Sequence, residues 1–524
     1  MGRILRVGLM VLLVAAAGVG NALGEWHPYS ESGITWQYEE IDATSCRIKP
    51  KDKNAISGKV DIPNKVNSLK VVEIAEQAFY ECSGLTAVKF PSGLTTIGKR
   101  AFYRCSKLAA VDIPNSVTTI QGWAFSGCGL TKVTIKSNVN KIESYAFTEC
   151  KELENFKVEK GNERYDVADG GVLFTKDRDT LVSYPGGRKG AYEIPGIVTG
   201  ISVGAFAGCE GLTAVTIPSS VKTIEEFTFS GCTGLTAVTI PDGVTRIGWG
   251  AFITCSRLKG VVIPSSVKTI GDDAFYGCEG LTEMKIPGGV TKIGQLAFAN
   301  CSKLNKVYWF TDANCNVGDD AFQEIASAAT LYVRQGEMEK IKDKPWCKNI
   351  FTIEEGFVVT FKDGEGNKLG EQLVKPNGTA TAPTAPTRKG YTLVEWQLDG
   401  AKYDFSTLVT KDITLVAVWK KKEESAPSTP KDPKDPKDPK TAVESVQLAG
   451  VRAVRNPVGA GLELEGMERA ARVEVYSVVG ARVYAEALRG EPRVVIDARG
   501  WASGVYVVKV EASDGAKTLR VVKW

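Results

Sequence analysis

The sequence GLTAVTIPSSVKTIEEFTFS, residues 211–230, recurs in near-copies on both sides of itself. The next copy starts at Gly234 and reads GLTAVTIPDGVTRIGWGAFITC, and another starts at Arg257 and reads RLKGVVIPSSVKTIGDDAFYGC. A period this short and regular indicates one supersecondary unit per repeat, stacked on its neighbours as a solenoid.

Each copy has a phenylalanine in a fixed place, and within each run these residues lie 22 to 24 positions apart. They are Phe79, Phe102, Phe125, Phe147, Phe206, Phe229, Phe252, Phe275, Phe298 and Phe322. A cysteine follows three residues after nine of the ten. We expect these nine thiols to be small buried side chains stacked coil on coil, rather than disulfide partners. Cys46, Cys315 and Cys347 lie outside this ladder, and a bridge between Cys315 and Cys347 stays open.

Three inward-facing sides are predicted for each repeat. In the copy at 211–232 the inward side chains are Leu212, Val215, Ile217, Val221, Ile224, Phe229 and Cys232. A single coil cannot bury its apolar face alone, so we expect the ten coils to share one continuous interior.

The repeat resembles the BspA-like leucine-rich-repeat family, whose signature is I-P…V-x-x-I-x-x-x-A-F-x-x-C. Small departures are Thr228, where the signature has alanine, and Lys136, where it has proline. The resemblance implies a leucine-rich-repeat solenoid that attaches to host matrix proteins or to neighbouring bacteria.

The period breaks between Phe147 and Phe206, which lie 59 positions apart. Residues 162–187, NERYDVADGGVLFTKDRDTLVSYPGG, predict a strand, a turn at 169–171, and further strands with a hairpin tip at 177–179. BspA-like proteins often carry such an insertion. We favour an enlarged coil over a dedicated binding loop.

Both ends of the array need a cover, because an uncapped solenoid exposes its core. Residues 25–60 should cover the first coil, and Trp26, Trp36 and Tyr38 suit that place. A last strand and a short helix within 331–353 should close the other end, with Trp346 over the last coil. The array with its caps is therefore predicted to span 25–352.

Residues 1–24 indicate a signal peptide. Arg3 and Arg6 precede an apolar run over 7–20, and small residues at 22–24 suit cleavage. The run is short for a bilayer span, so a cleaved signal is favoured over a membrane anchor, and no later segment is predicted to be transmembrane. The formal charge of +4 is small and both signs are dispersed, which argues against a nucleic-acid partner.

A second module is predicted at 357–420. It resembles the Listeria–Bacteroides (internalin B-type) repeat at Pro386, Thr387, Arg388, Lys389, Gly390, Tyr391, Trp396, Gly400, Tyr403, Asp404, Phe405 and 410–419. The resemblance implies a small β-grasp-like domain that acts as a spacer or interaction module. Residues 421–444 follow as a linker, whose Lys-Asp-Pro triplets favour an extended polyproline conformation.

Residues 445–524 return to alternating apolar positions and predict a small antiparallel β-sandwich. This segment resembles the C-terminal sorting domain of the type IX secretion system. The matching residues are Asn456, Pro457, Val475, Tyr476, Gly480, Asp497, Gly504, Val505, Tyr506, Lys509 and Lys523. The resemblance implies contact with the type IX machinery in a Bacteroidetes-type bacterium, and attachment to a cell-surface glycolipid. A plain sandwich module is the alternative.

The sequence offers little for catalysis. The sole histidine, His27, argues against a histidine-based triad or metal site. Residues 200–204 match G-x-S-x-G, but Ile201 holds a core position of the repeat and the strand–turn–helix setting of a nucleophile is missing.

Acidic groups do not change this prediction. The Asp pairs at 272–273 and 319–320 fall in predicted solvated turns. Asp363, Glu365 and Asn367 suggest a calcium loop, but Val374 stands where the bidentate glutamate is needed. We predict no catalytic residue, no metal site and no cofactor.

Two rows of side chains are the candidate binding residues. The outer row, predicted to point outward between inward-facing neighbours, is Lys89, Asp112, Thr134, Thr216, Thr239, Val262 and Lys285. The aromatic row, two positions before the core phenylalanine, is Trp123, Tyr145, Phe227 and Leu296. These aromatic side chains are either exposed anchors for a partner or packed against adjacent turns.

The fold class expected is mainly β with short helical or irregular turns: a leucine-rich-repeat solenoid, a β-grasp-like module and a β-sandwich. The function expected is that of a non-catalytic adhesin, attached to the outside of the cell, that binds host matrix or bacterial surface proteins. An envelope protein that is structural or captures glycans or peptides is the alternative.

Overall fold

The computed structural model describes residues 25–383, 386, 388 and 390–421, and seven strands between 452 and 523. The predicted signal peptide, and the predicted linker beyond Lys421, lie outside these described residues. The chain divides into two compact units, 1–420 and 421–524.

Each coil of the array has a first side, a second side and a corner. First-side strands are Ser57–Asp61, Gly84–Lys89, Lys132–Ile135, Asn155–Val158, Gly190–Glu193, Leu212–Thr216, Ala237–Thr239, Gly260–Val262, Glu283–Ile286, Lys306–Trp309 and Thr330–Arg334. Second-side strands are Thr96–Ile97, Thr119–Ile120, Lys141–Ile142, Thr180–Ser183, Gly200–Ile201, Thr223–Ile224, Arg246–Ile247, Thr269–Ile270, Lys292–Ile293 and Asn316–Val317. Within a sheet, successive strands of a side pair in parallel, as with Val215 beside Val238 and Val238 beside Val261. These first-side strands fall in four such sheets and the second-side strands in three.

The corner is the turn that carries the core phenylalanine. Hydrogen bonds join corner to corner: the Phe252 N–H donates to the Ala274 carbonyl oxygen at 2.7 Å, and Phe275 N–H donates to that of Ala297 at 2.7 Å. The phenyl rings therefore stack along the array, with centroids 5.1 Å apart between Phe252 and Phe275.

The ladder cysteines are buried free thiols, as is usual for small apolar side chains in a core. Seven of the nine donate to the phenylalanine carbonyl of an earlier coil, as Cys278 Sγ does to the Phe252 oxygen at 3.2 Å. Cys82 donates to the carbonyl of Lys53 and Cys209 to that of Tyr184 instead. Burial raises the pKa of Cys301 to about 12 and that of Cys278 well above its ordinary value. Cys315 and Cys347 are also free thiols, so the structure contains no bridge between them.

The expectation of one continuous interior is wrong. Buried side chains of the array form two clusters, one from Trp36 to Leu173 and one from Val172 to Cys347. They meet at the strand Val172–Thr175, where Leu173 faces the first cluster while Val172 and Phe174 face the second. A strand that exposes opposite faces to two cores acts as a wall between them.

This wall belongs to the insertion, whose predicted strands are confirmed. Strand Tyr165–Ala168 pairs antiparallel with Val172–Thr175, which pairs antiparallel with Thr180–Ser183. The last of these strands joins the second side by pairing in parallel with Gly200–Ile201. Tyr184 then occupies the place of a corner phenylalanine, with its ring 4.9 Å from Phe206. The insertion is thus an enlarged coil of the array.

Covers close both ends of the array. At the start, His27–Glu31, Ile34–Asp42 and Ser45–Pro50 form antiparallel pairs, and the sheet continues through Leu69–Ile74 into the second side. Lys65–Val66 pairs with Leu69–Ile74 off this path. Trp36 is buried there with its ring 6.2 Å from Phe79. At the far end, helix Met338–Ile341 precedes Trp346, whose ring lies 4.7 Å from Trp309. The predicted cap with Trp346 is confirmed.

The second module is joined to the array by one unbroken strand, Thr352–Lys362. Its first half pairs in parallel with the first-side strand Thr330–Arg334, and its second half pairs with Lys368–Val374 and Ile413–Lys421. Strands Tyr391–Leu398 and Ala401–Lys402 complete the sheet. Its core includes Phe361 and Trp396, with ring centroids 5.0 Å apart. The β-grasp description of this module stays a prediction.

The second unit contains two antiparallel sheets. Their strands are Arg452–Ala453, Gly461–Glu465 and Arg493–Asp497 in one sheet, and Arg482–Ala487, Arg472–Ser477, Gly504–Ala512 and Gly515–Lys523 in the other. Alternate side chains such as Val473, Val475, Val508 and Val510 are buried, as the alternation in the sequence predicts. The sandwich arrangement of the two sheets stays a prediction.

Candidate binding surfaces

The outer row lies on the first side, between neighbours that are buried or half-buried. Lys89, Asp112, Thr216, Thr239 and Lys285 are exposed, and Thr134 is half-buried. Val262 exposes 68% of its surface, although it is apolar. Strand pairing sets Thr216 beside Thr239 and Thr239 beside Val262, so these three exposed side chains form a line along one sheet. Lys89, Thr134 and Lys285 lie in three other sheets of the first side, and Asp112 lies outside the strands.

The outer row continues beyond the predicted residues into two tyrosines. Lys285 pairs with Tyr308, Tyr308 with Tyr332, and Tyr332 with Glu354. The tyrosine rings stack with centroids 4.9 Å apart, and burial, followed by Glu283 and then Tyr332, raises the pKa of Tyr308. Sequence reasoning missed both residues, although they occupy the same place in the repeat as Lys285.

Two lysines flank the stacked tyrosines. Lys285 Nζ lies 5.7 Å from the Tyr308 ring centroid, and Lys375 Nζ lies 5.8 Å from that of Tyr332. Lys375 comes from the second module and pairs with Glu354 at 2.6 Å, a bond that raises the lysine pKa. The far end of the outer row is therefore shared between the array and the module.

The aromatic row lies along the corners, where its rings are half-buried. Trp123 and Tyr145 stack at 4.5 Å with planes 9° apart, and Tyr145 meets Phe227 edge-on at 6.2 Å. Burial, with a smaller contribution from Glu226, raises the pKa of Tyr145 to about 12. Leu296 is also half-buried.

These row residues adopt a left-handed backbone. The φ angles are +57° at Trp123, +67° at Tyr145 and +52° at Phe227, a region that costs a side chain with a Cβ about 1 kcal/mol or more. Glycine takes the same place in two other coils. A Cβ at Gly204 would collide with the Tyr145 ring, and one at Gly250 would lie 2.6 Å from Phe227 Cε1. The two glycines thus allow the rings to lie flat over the next coil.

Trp249 extends this line of rings by one coil, and sequence reasoning did not assign it to the row. It stands one position earlier in its repeat, exposes 49% of its surface, and has its ring 4.6 Å from Phe227. Its Nε1–H donates to Asp273 Oδ2 at 2.9 Å. At the other end of the line, the Arg100 guanidinium lies 5.0 Å from the Trp123 ring.

The residues considered for catalysis or metal binding have local structural roles. Asp363 Oδ1 accepts hydrogen bonds from the Glu365 and Asn367 backbone N–H groups at 2.9 and 2.8 Å, which closes residues 363–367 as a turn. The His27 ring packs 5.6 Å from the Tyr38 ring. In the part of the chain that the structure describes, no group of acidic, histidine or cysteine side chains could hold a metal ion.

A cleft of about 740 Å³ opens at the N-terminal cover. Three of its charged groups pair with one another: Arg47 binds Glu39 at 2.6 Å and approaches Glu73 at 3.9 Å. Lys49 Nζ lies 3.7 Å from the Trp26 ring centroid. Because these charges are already partnered, the cleft is a weaker candidate for ligand binding than the two rows.

The coil geometry, with its stacked phenylalanines and parallel sides, defines a leucine-rich-repeat protein. Models of three families match the chain. The BspA-type leucine-rich-repeat region matches in six copies over residues 72–167 and 193–343, the Listeria–Bacteroides repeat domain over 357–418, and the secretion-system C-terminal sorting domain over 456–523. The chain is a BspA-like leucine-rich-repeat surface protein with a type IX secretion sorting domain, which directs it to the outside of the cell.

Solved leucine-rich-repeat structures resemble the array. The pneumococcal vaccine antigen PcpA is 18% identical with a TM-score of 0.45, covering 64% of this chain and 99% of its own. A leucine-rich cell surface protein of Faecalibacterium prausnitzii is 21% identical with a TM-score of 0.36, covering 63% and 94%. The Treponema pallidum leucine-rich-repeat protein is 27% identical with a TM-score of 0.28, covering 44% and 90%. No curated protein matches the chain.

Helices are rare in this fold, and none of those formed by the described residues has the length and apolarity to cross a membrane.

Proposed function

We propose that the protein is an adhesin whose outer row binds host matrix proteins or proteins on other bacteria. The observation that carries this proposal is the line of exposed side chains formed by Thr216, Thr239 and Val262 on the first side, in which Val262 is 68% exposed. Buried neighbours on each strand hold these side chains at fixed spacing. A partner therefore meets a preorganised surface and loses little entropy in fixing it.

The chemistry of the outer row suits a protein partner. The row combines threonine hydroxyls, an exposed valine, lysines and the tyrosine pair at Tyr308 and Tyr332. Tyrosine is enriched among the residues that contribute most to protein interfaces, because it presents apolar area together with a polar hydroxyl. Neighbouring strands lie about 4.8 Å apart, so an extended segment along the row meets one side chain per coil.

Glycan capture is the second candidate, and the exposed indole of Trp249 is the observation that favours it. A sugar stacks on the face of an aromatic ring. Trp123 has Tyr145 on one face and lies beside the Arg100 guanidinium, so its faces are largely occupied by the protein itself. We therefore place protein binding first.

We also propose that the chain binds without catalysis. Burial raises the pKa of ladder thiols such as Cys278, which keeps them protonated and poorly nucleophilic. Ser202 lies in the turn after a second-side strand, where its backbone N–H donates to the Leu181 carbonyl oxygen at 2.9 Å. Turnover of a peptide, ester or glycoside substrate by the purified chain would contradict this proposal.

A binding panel tests the adhesin function. The full chain and the variant Tyr308→Ala/Tyr332→Ala are compared on immobilised host matrix proteins, on whole bacteria and on glycan arrays. Loss of two interface tyrosines should weaken protein binding by at least roughly tenfold. Lys222→Ala/Lys268→Ala, which changes exposed second-side residues, is the matched control and should bind like the wild type. Retention on glycans alone, abolished by Trp249→Ala, would support glycan capture instead.

A further inference from the structure

The corners carry a line of side chains whose chemistry is symmetric about its centre. We call this line the corner strip: Lys99, Arg100, Trp123, Tyr145, Gly204, Phe227, Trp249, Asp272 and Asp273. We propose that the corner strip pairs two copies of the chain, antiparallel, about a two-fold axis at Gly204. This goes beyond the proposed adhesin function, which uses the outer row on a different side of the coil.

The strip is continuous across the insertion, although the sequence is not. Glu149 N–H donates to the Ala207 carbonyl oxygen at 3.1 Å, so the corner of the fourth repeat bonds directly to the corner that contains Gly204. Gly204 N–H in turn donates to the Glu226 carbonyl oxygen at 3.1 Å. At about 4.8 Å per coil, the six steps from Arg100 to Asp273 span roughly 30 Å.

Counting coils outward from Gly204 shows the symmetry. One step away lie two half-buried aromatic rings, Tyr145 on one side and Phe227 on the other. The next coils carry two indoles, Trp123 and Trp249. At the third step lie opposite charges, Arg100 and Asp273. A rotation by half a turn about Gly204 therefore brings ring onto ring, and cation onto anion.

The charged ends match in exposure and in contact with the rings. Lys99 and Asp272 are exposed, while Arg100 and Asp273 are half-buried. Arg100 lies over the Trp123 ring at 5.0 Å, and Asp273 accepts the Trp249 indole hydrogen bond at 2.9 Å. Among the described residues, none of these four charged side chains has an ion-pair partner. Each end of the strip is thus available to the opposite charge on a second copy.

Self-complementarity is what a two-fold interface requires, because each copy contributes the same surface. Aromatic rings supply the central apolar contact, and the charges at both ends fix an antiparallel register, since a parallel arrangement would set like charges together. Gly204 is buried beside the Tyr145 ring, so aromatic rings rather than the Gly204 backbone would meet near the axis.

Charge reversal tests the pairing in the full chain by analytical ultracentrifugation. We expect the wild type to form a dimer that weakens as NaCl rises from about 50 to 500 mM, because the end contacts are screened. The variants Lys99→Glu/Arg100→Glu and Asp272→Lys/Asp273→Lys should each dimerise at least roughly a hundredfold more weakly, since like charges then face each other. The control Lys222→Glu/Lys268→Glu carries the same change in net charge as the first variant, away from the strip, and should dimerise like the wild type.

Mixing the two reversed variants gives the sharpest result. One is then acidic at both ends and the other basic at both ends, so an antiparallel pair of unlike variants restores every contact. We expect a heterodimer from two chains that do not self-associate. A monomeric wild type at about 100 µM, reversed variants that dimerise normally, or a mixture without heterodimer would each overturn the proposal.

A disulfide at the axis is an independent test that does not depend on the charges. Val203 precedes Gly204 and should lie next to its own copy, so oxidised Val203→Cys should form a covalent dimer. Ser144→Cys, one coil off the axis, would lie about 10 Å from its own copy and beyond disulfide reach. Equal cross-linking of both variants, or of neither, would contradict the two-fold axis.

Discussion

Two adjacent side chains in the insertion should stabilise different halves of the array. Leu173 and Phe174 are both fully buried, but Leu173 packs in the N-terminal cluster and Phe174 in the C-terminal cluster. Truncation to alanine removes the transfer free energy of the side chain and leaves a cavity. The cost expected is about 2–5 kcal/mol for Leu173→Ala and about 3–5 kcal/mol for Phe174→Ala.

Native-state hydrogen exchange, followed peptide by peptide, separates the two effects. In a repeat array each coil contacts mainly its neighbours, so a local loss of stability stays within its own cluster. A loss of about 3 kcal/mol accelerates exchange by roughly a hundredfold. Leu173→Ala should accelerate exchange in residues 69–158, and Phe174→Ala in residues 212–333.

The two variants serve as controls for each other, because they lie on the same strand and differ only in the core that they face. If both accelerate exchange equally in both halves, the strand is not a wall and the array has a single interior. If neither accelerates exchange by more than about threefold, the packing described here is wrong.

Three further outcomes follow from individual contacts. Glu355 Oε1 accepts hydrogen bonds from the Gly336 and Met338 N–H groups at 2.9 and 3.0 Å. In urea titrations, Glu355→Ala should lower the unfolding free energy by about 1–3 kcal/mol, while Glu355→Gln should keep most of the stability of the wild type. Gly250→Ala should cost about 1–3 kcal/mol, because φ is +55° and the new Cβ meets the Phe227 ring; an unchanged melting temperature would contradict this. Burial raises the pKa of Cys301 from about 9 to about 12, so this thiol stabilises the fold below pH 9 and loses that contribution as the pH rises toward 12. In urea titrations, Cys301→Ala should therefore lose less stability between pH 9 and pH 11 than the wild type does.

The coil itself could be predicted from the sequence, because every coil packs in the same way and therefore has apolar residues at the same positions of the repeat. Phe252 and Cys278 lie where the period places them, since each must stack on the same residue of the next coil. The insertion strands and the Trp346 cap were also predictable from turn residues and apolar alternation.

The strand that separates the two clusters was harder to predict from the sequence. Residues 172–174 read Val-Leu-Phe, a run without alternation, which is typical of a strand buried on both faces. Such a run does not say whether the two faces meet one core or two. That depends on how the chain before and after it is wound, which local sequence does not specify.

The corner strip could be predicted only in part. Trp123, Tyr145 and Phe227 share one repeat position, so aligning the repeats finds them. Trp249 stands one position earlier and joins the line because Gly250 lets the Phe227 ring lie beside it. The direct contact between the corners of Glu149 and Ala207 skips the insertion, and the two residues lie 58 positions apart, which conceals the contact in the sequence.

The central claim is that the buried positions only pack while the outer row binds. It is tested most directly by a hydrogen-exchange footprint of the full chain, with and without a host matrix protein that it retains in the binding panel. We expect slower exchange in the first-side strands that carry Thr216, Thr239, Val262, Lys285, Tyr308 and Tyr332, with the second side unchanged. Protection confined to the second side or to the corners would contradict it.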